Sequence, residues 1–266
     1  MNIFKKNNSL IIGCIITGVV LLLAIVGIFV TPYSTTEMSL ELKLEAPSLA
    51  HIFGTDNYGR DIFSRIMQGT GTTFLVSAVT IAFGMIVGTA IGLAAGYVGG
   101  WFDEVIMRIN DVVNAFPSML LALIFVSFLG NGLLNVILAL GILFIPSFAR
   151  IARSEMLRWK GAPFVQSAKL SRAGSIRIIF AHILPNALPS ILSSAAVGFN
   201  NAVLAEAGLS YLGLGVQPPD ASLGRMISEA GSYLVQAPWF ALCPGLIIII
   251  VVLGVALISD GIAESE

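Results

Sequence analysis

Read for polarity alone, the chain is a series of long apolar blocks separated by short polar breaks. The blocks cover residues 11–30, about 74–97, 103–129, 134–148, 188–205 and 240–258. Apolar runs near 20 residues match the thickness of a bilayer's hydrocarbon core. None alternates with the period of two that a barrel strand needs. Lipid offers no partners to backbone N–H and C=O groups, so each block is expected to be helical. The pattern predicts an all-α, polytopic membrane protein with six transmembrane helices. Gly99-Gly100-Trp101 and Gly130-Asn131-Gly132 read as the turns around the third helix, which Pro117 is expected to kink. The second block carries Gly84, Gly88, Gly92 and Gly96 among several alanines. Such small residues let helices approach closely, so this face is expected to pack against another helix or subunit.

Composition sharpens this. The chain is 56% hydrophobic and 11% charged, against roughly 25% charged in soluble domains. One polar break dominates. Residues 150–186 hold seven of the fourteen basic residues (Arg150, Arg153, Arg158, Lys160, Lys169, Arg172 and Arg177) against one acid, Glu155. Lys5 and Lys6 precede the first block. Basic residues mark the cytoplasmic side, so both termini and the 150–186 loop are expected there. Four basic residues, Lys43, Arg60, Arg65 and Arg225, fall on the expected outer side, in segments 31–70 and 206–238. There Asp56 and Asp61 suit helix caps, and Phe63 to Gln68 an amphipathic lead-in. A signal peptide is the rival reading of the first block. The run is long for one and lacks a small-x-small cleavage site. A five-helix chain with that run removed would keep the same orientation, so charge alone does not separate the two.

Candidate chemistry is sparse. There is no Walker lysine motif, no G-x-S-x-G and no H-E-x-x-H. Cys14 and Cys243 lie far apart inside apolar runs, with no disulfide or metal spacing. His51 and His182 have no partner at ligand spacing and read as structural. No catalytic site, metal or cofactor is therefore expected, and nothing in the charge pattern points to nucleic acid. Any energy must come from a partner or an ion gradient. Ionisable groups at membrane depth are costly and hence informative. Asp103 and Glu104 suit the first turn of the third helix. Asp111 lies one turn from Arg108, as a local pair or as a gate. Glu206 lies within two turns of Asn200 and Asn201, where lining a pathway and sitting at the interface are equally open.

The stretch 166–185 resembles the cytoplasmic EAA loop of ABC importer permeases, in which E-A-A, three residues, G, nine residues and I-x-L-P follow in order. Gln166, Ser167 and Ala168 take the first three positions, Arg172 the glycine, and Leu184-Pro185 the final pair. Gln166, Ser167 and Arg172 depart from the pattern. H-I-F-G-T-D-N-Y-G-R-D-I-F-S-R (51–65), L-A-E-A-G-L-S-Y-L-G-L-G-V-Q-P-P (204–219), A-F-P-S (115–118) and H-I-L-P-N (182–186) resemble the peptide/nickel branch, of dipeptide-permease C type. The resemblance covers nearly the whole chain. It implies a first segment, 1–71, of one membrane helix plus an external stretch, and a permease domain, 72–266, carrying the coupling loop. It implies a homologous permease as heterodimer partner, two cytoplasmic ATPase subunits, an extracytoplasmic solute-binding protein and residence in a bacterial inner membrane. Substrate would be a di- or oligopeptide, with nickel or another metal chelate as the alternative. A gradient-driven transporter without an ATPase is the reading from another class.

By that resemblance the loop folds as two short helices, the first docking on the ATPase. Ala168, Lys169 and Leu170 are the expected contacts, flanked by Gln166 and Ser167, so a bulky charged residue at Ala168 should abolish uptake. The family glycine sits at the turn, where positive φ costs Gly little. With Arg172 there, Gly174 is expected to take over the turn. Asp111, Asn200, Asn201 and Glu206 are the candidate pathway or gate residues.

Overall fold

A computed structural model describes residues 8–263, and Lys5 and Lys6 lie outside that range. Ten α-helices and no strand occur among the described residues. The apolar blocks emerge as α1 (Asn8–Phe29), α2 (Ile62–Val98), α5 (Leu133–Lys160), α8 (Leu184–Tyr211) and α10 (Pro238–Ala263). The remaining block is broken. α3 (Gly100–Asn114) and α4 (Ser118–Leu129) meet at 92° across a three-residue gap. The expected kink at Pro117 is thus a complete break. Pro117 lacks an N–H and stands at the N-cap position of α4 with extended ψ, ending one helix and starting the next. Five spans, or six with the bent pair as one, satisfy the membrane criterion of length and apolarity.

Helices outrun the apolar blocks at several ends. α2 starts at Ile62, so the amphipathic lead-in is its first turn rather than a separate element. α5 continues through Arg150 to Lys160, taking the first third of the basic stretch into a regular helix. α6 (Pro163–Leu170) lies after a short break, and α7 (Ser175–Arg177) leads through a π-helical turn, Ile178–Ile183, into α8. The single-turn π insertion absorbs one extra residue without ending the helix. α9 (Leu223–Ala230) lies in the segment between α8 and α10.

The glycine stripe on α2 meets α5 of the same chain. A Cβ on Gly84, Gly88, Gly92 or Gly96 would fall within 2.8 Å of Phe144, Ile145, Ala149 or Met156 respectively. α1 closes on α10 in the same way at Gly13, Gly254 and Gly261. Three apolar clusters fill the interior. One lies around Ile62, Leu223, Met226 and Phe240, a second around Phe148, Met156, Val165 and Ile183, and a third around Val76, Val126, Leu140 and Leu209.

Candidate functional site

Two places combine accessibility with unusual chemistry. The first is a groove of about 640 Å³ at the α3–α4 break. Its walls come from the end of α3 (Val113, Asn114), the start of α4 (Ser118, Met119), α5 (Leu140, Ser147) and α8 (Asn201, Leu204). The break creates the space: turning α4 by 92° leaves a corner that a straight helix would fill. Its polar side chains, Asn114, Ser118, Ser147 and Asn201, are all uncharged.

Of the four pathway candidates, only Asn201 lines this groove. Asp111 is exposed, and its Oδ1 accepts from Arg150 Nη2 at 2.9 Å. The expected Arg108–Asp111 pair is absent, because Arg108 instead reaches Glu104 at 3.4 Å. Asn200 is half-buried with its Oδ1 unpartnered. Glu206 does not line the groove. It is fully buried between α2, α8 and α9, where Thr73 Oγ1 donates to Oε2 at 2.8 Å and Ser210 Oγ donates to Oε1 at 2.6 Å. Ser210 Oγ in turn accepts from Val216 N–H at 3.2 Å. Its hydroxyl partners make it a polar tie inside the bundle.

The second place is the basic end. Two of its arginines clamp α5 to α3. Arg153 grips Asp103 through Nε and Nη2 at 2.5 and 2.6 Å, a bidentate pairing that holds Asp103's carboxylate against the helix. Lys160 Nζ donates to the carbonyls of Gly96 and Tyr97, at 3.2 and 2.5 Å, and so caps the end of α2. Beyond it, α6 carries Gln166, Ser167, Ala168, Lys169 and Leu170. Two short helices were expected, and the second, α7, instead merges through the π turn with α8. Gln166, Ser167, Lys169 and Leu170 are exposed, and Leu170 keeps 86% of its surface. Ala168 is the exception among the expected contacts. It packs inward with Ala162, Ala173 and Leu184 against the cluster around Met156. A bulky residue there would therefore disrupt the loop's own packing. Pro185 is exposed in the first turn of α8.

The turn itself contradicts the expectation for Gly174. Arg172 holds the left-handed conformation, with φ +59°. Gly174 has φ −65° and ψ 153° and serves as the N-cap of α7. The hydrogen bonds explain why the spacing decides the matter. Arg172 N–H donates to Lys169 C=O at 2.9 Å, and Ala173 N–H to Ala168 C=O at 3.0 Å. This is a complete Schellman closure of α6, whose left-handed position falls two residues after the last helical residue. That position is 172.

A third arrangement escaped sequence reasoning. At the opposite end of the bundle, Asp56 Oδ2 accepts from Arg60 Nε at 2.7 Å and Arg65 Nη1 at 2.5 Å. Glu229 Oε2 on α9 accepts from the same two arginines at 3.2 and 3.0 Å, and its Oε1 from Arg225 at 3.2 Å. Three of the four basic residues expected outside are thus neutralised internally. Asp56 caps no helix; its Oδ1 accepts from Tyr58 and Arg60 N–H and folds the turn. Asp61 does cap α2, through Ser64 N–H at 2.7 Å, and its Oδ1 also meets His51 Nδ1 at 2.9 Å. His51 therefore has the acidic partner that the sequence spacing hid. The G-T-D-x-x-G-R-D pattern had a readable part, the Asp56/Arg60 spacing. The link to Glu229, 169 residues on, had none.

Residues 88–265 match the family described as binding-protein-dependent transport system inner membrane component. Residues 1–47 match the N-terminal TM domain of oligopeptide transport permease C. The chain is 41% identical over 261 residues to the dipeptide transport system permease protein DppC of Alkalihalophilus pseudofirmus, covering 98% of this chain and 86% of that one. It is 36% identical to the protein of the same name in Haemophilus influenzae, over 98% of this chain and 91% of the relative. It is 42% identical to the glutathione transport system permease protein GsiD of Pectobacterium atrosepticum, over 83% and 73%. Among solved structures, a chain of the inward-facing MetNI methionine ABC transporter superposes with a TM-score of 0.63 at 18% identity. That match covers 76% of this chain and 96% of that one.

Proposed function

This chain belongs to the family of binding-protein-dependent transport system inner membrane components, and from that premise we infer that it is the membrane-spanning permease subunit of an ATP-driven importer of di- and oligopeptides. The observation that carries this is similarity along nearly the whole chain to permeases named for dipeptides. The relative named for glutathione, itself a tripeptide, supports the same substrate class. The uncharged groove suits it too, since a peptide's backbone amides can be met by Asn and Ser side chains without a fixed charge that selects among side chains. Family membership favours ATP-driven transport over a gradient-driven mechanism.

On this reading the chain itself hydrolyses nothing. Two ATPase subunits bind at the basic end, a second permease completes the path along the groove, and a solute-binding protein delivers substrate at the opposite end. The basic end faces the cytoplasm, and the chain resides in the bacterial inner membrane. The first segment, 1–71, adds α1 and the folded outer stretch to the permease domain, 72–266. The two share α2, which runs across the division.

The test replaces Leu170, exposed and without inward packing, with Asp, in the complete importer. Uptake of a labelled dipeptide should fall below about one tenth of wild type, the factor expected when a buried anchor of an interface is made polar. Insertion and assembly with the second permease should persist. Unchanged uptake in L170D would refute ATPase coupling through α6. For substrate, calorimetry on the cognate solute-binding protein should give heat with dipeptides and none with nickel chelates.

A further inference from the structure

Within that coupling reading, we propose that Arg172 is a partner-recognition residue, its guanidinium placed by the α6 turn to engage a carboxylate on the ATPase subunit, with Lys169 and Arg177 as flanking charges. The seven basic residues of the 150–186 stretch divide into two groups. Four are used inside the chain: Arg150 on Asp111, Arg153 on Asp103, Arg158 on Glu155 at 3.7 Å, and Lys160 on the carbonyls ending α2. For Lys169, Arg172 and Arg177 there is neither an ion pair nor a side-chain hydrogen bond among the described residues, and all three are exposed. A requirement for positive charge at this end of the bundle is met by either group, so it does not explain why three cations gather unpaired at the tip.

The backbone supplies the second observation. Arg172 is one of only two non-glycine residues with positive φ among the described residues. Left-handed backbone disfavours any residue with a Cβ, and the Schellman closure normally uses Gly. Glycine is two residues away, at 174, in a conformation any residue can adopt and with open space around its Cβ position. The chain thus places an arginine where the turn favours glycine and a glycine where nothing requires one. An outlier retained at an exposed turn points to a contact made outside the chain. Leu170, 86% exposed, and Ile176, 75% exposed, flank it with apolar surface, the pattern of a docking tip with a charged recognition point at its centre.

Acidic lipid is the other anion at such a surface. It attracts charge without requiring fixed geometry, and any mobile lysine would serve it. A rigid turn presenting a planar guanidinium suits a protein carboxylate instead.

The experiment uses the complete importer with its own ATPase subunits, purified in detergent and also in liposomes with and without an anionic lipid. ATPase retention is measured across a salt series, together with substrate-stimulated ATP hydrolysis, for R172G, R172K, R172E and L170D. Glycine is favoured in this turn, so R172G removes the charge without threatening the fold. Its ATPase affinity should be about ten-fold weaker at about 0.1 M salt and converge on wild type near about 1 M, where screening is nearly complete. R172E should be weaker still, and R172K intermediate. Retention of ATPase by R172G equal to wild type at every salt concentration overturns the proposal. A deficit present only in liposomes with anionic lipid also overturns it, in favour of a lipid contact. Loss in L170D without loss in R172G removes the arginine's role and leaves ATPase docking standing; loss in neither variant removes both.

Discussion

The α2–α5 contact offers a sharp test of the packing, through a single methyl group. In Gly92→Ala the new Cβ would lie 2.1 Å from the Ala149 carbonyl oxygen, 2.8 Å from its carbonyl carbon and 2.9 Å from its Cα. Ordinary contact begins at 3.4 Å, so the oxygen is too close by roughly 1.3 Å. All three neighbours are backbone, so no side chain can rotate away and the helices must separate. The neighbouring glycines 84, 88 and 96 interlock on the same face, so relief at one point loosens the others. Overpacking of this kind costs about 1–3 kcal/mol. Helix propensity returns up to about 1 kcal/mol, because Ala is the better helix former. The net loss, about 0–2 kcal/mol when the full propensity gain is returned, should lower the melting temperature of the purified chain by up to roughly 8 °C, at about 2–4 °C per kcal/mol for this size. Gly18→Ala is the control: it adds the same methyl to a membrane helix with nothing within 4 Å, and should melt at or above wild type. Thermal unfolding in detergent, followed by tryptophan fluorescence, reads both. Equal melting temperatures for G92A and G18A would refute the close α2–α5 approach.

Glu206→Ala should destabilise the chain by about 1–3 kcal/mol, since it strands the buried Thr73 and Ser210 hydroxyls. Glu206→Gln, which retains an acceptor, should cost less, and a reversed order in thermal unfolding would contradict the buried tie. Asp56→Asn leaves Arg65, which is 2% exposed, with Glu229 as its remaining carboxylate partner among the described residues; a loss of up to about 3 kcal/mol, below that of a fully unpaired buried charge, should show as a lower melting temperature, and unchanged melting would count against the network. Asn201→Asp puts a charge into the neutral groove. Uptake of acidic dipeptides should fall several-fold relative to basic ones, an ordering set by charge repulsion, and an unchanged ratio would remove Asn201 from the path.

Much of the architecture was legible because the bilayer imposes it. Lipid requires long apolar helices, and five spans follow from block length and apolarity alone, while the block that carries Pro117 was expected as one kinked helix and is two. Helix ends were not legible, because polarity marks where lipid stops and not where hydrogen bonding stops. α5 therefore runs on through Arg150 and Arg153 to Lys160. The glycine stripe was legible as a close contact since small residues serve few other purposes in lipid. Charge partners were the least legible. Sequence distance offers Asp111 a local partner in Arg108 beside a gate role, and its carboxylate accepts from Arg150, 39 residues away. Glu206 was visible only as an acid near a span's end, since Thr73, its hydroxyl partner on α2, lies 133 residues upstream. Arg172 was mispredicted for a different reason. Preference for glycine at positive φ is a side-chain argument, whereas the position of the turn is set by where α6 ends, and the chain obeys the second.

The distribution of charge also bears on how force would pass through the subunit. Ion pairs gather at the two ends of the bundle, while the groove wall has none. At the basic end α5 is tied to its neighbours by Arg153 to α3, Lys160 to the end of α2, and the glycine contacts along α2, while α6 also packs on the π turn that leads into α8. Only Gly161 and Ala162 separate α5 from α6, and Ala162 N–H is itself bonded to Trp159 C=O. If α6 is where the ATPase acts, its displacement passes to α5 through two residues and to α8 through the π turn that α6 packs on. From α5 it reaches α3 through a bidentate pair and the groove through Leu140 and Ser147. An uncharged groove wall suits this arrangement. A salt bridge across a surface that opened to water would pay the desolvation of both ions again at each closing, whereas Asn and Ser side chains exchange one neutral partner for another.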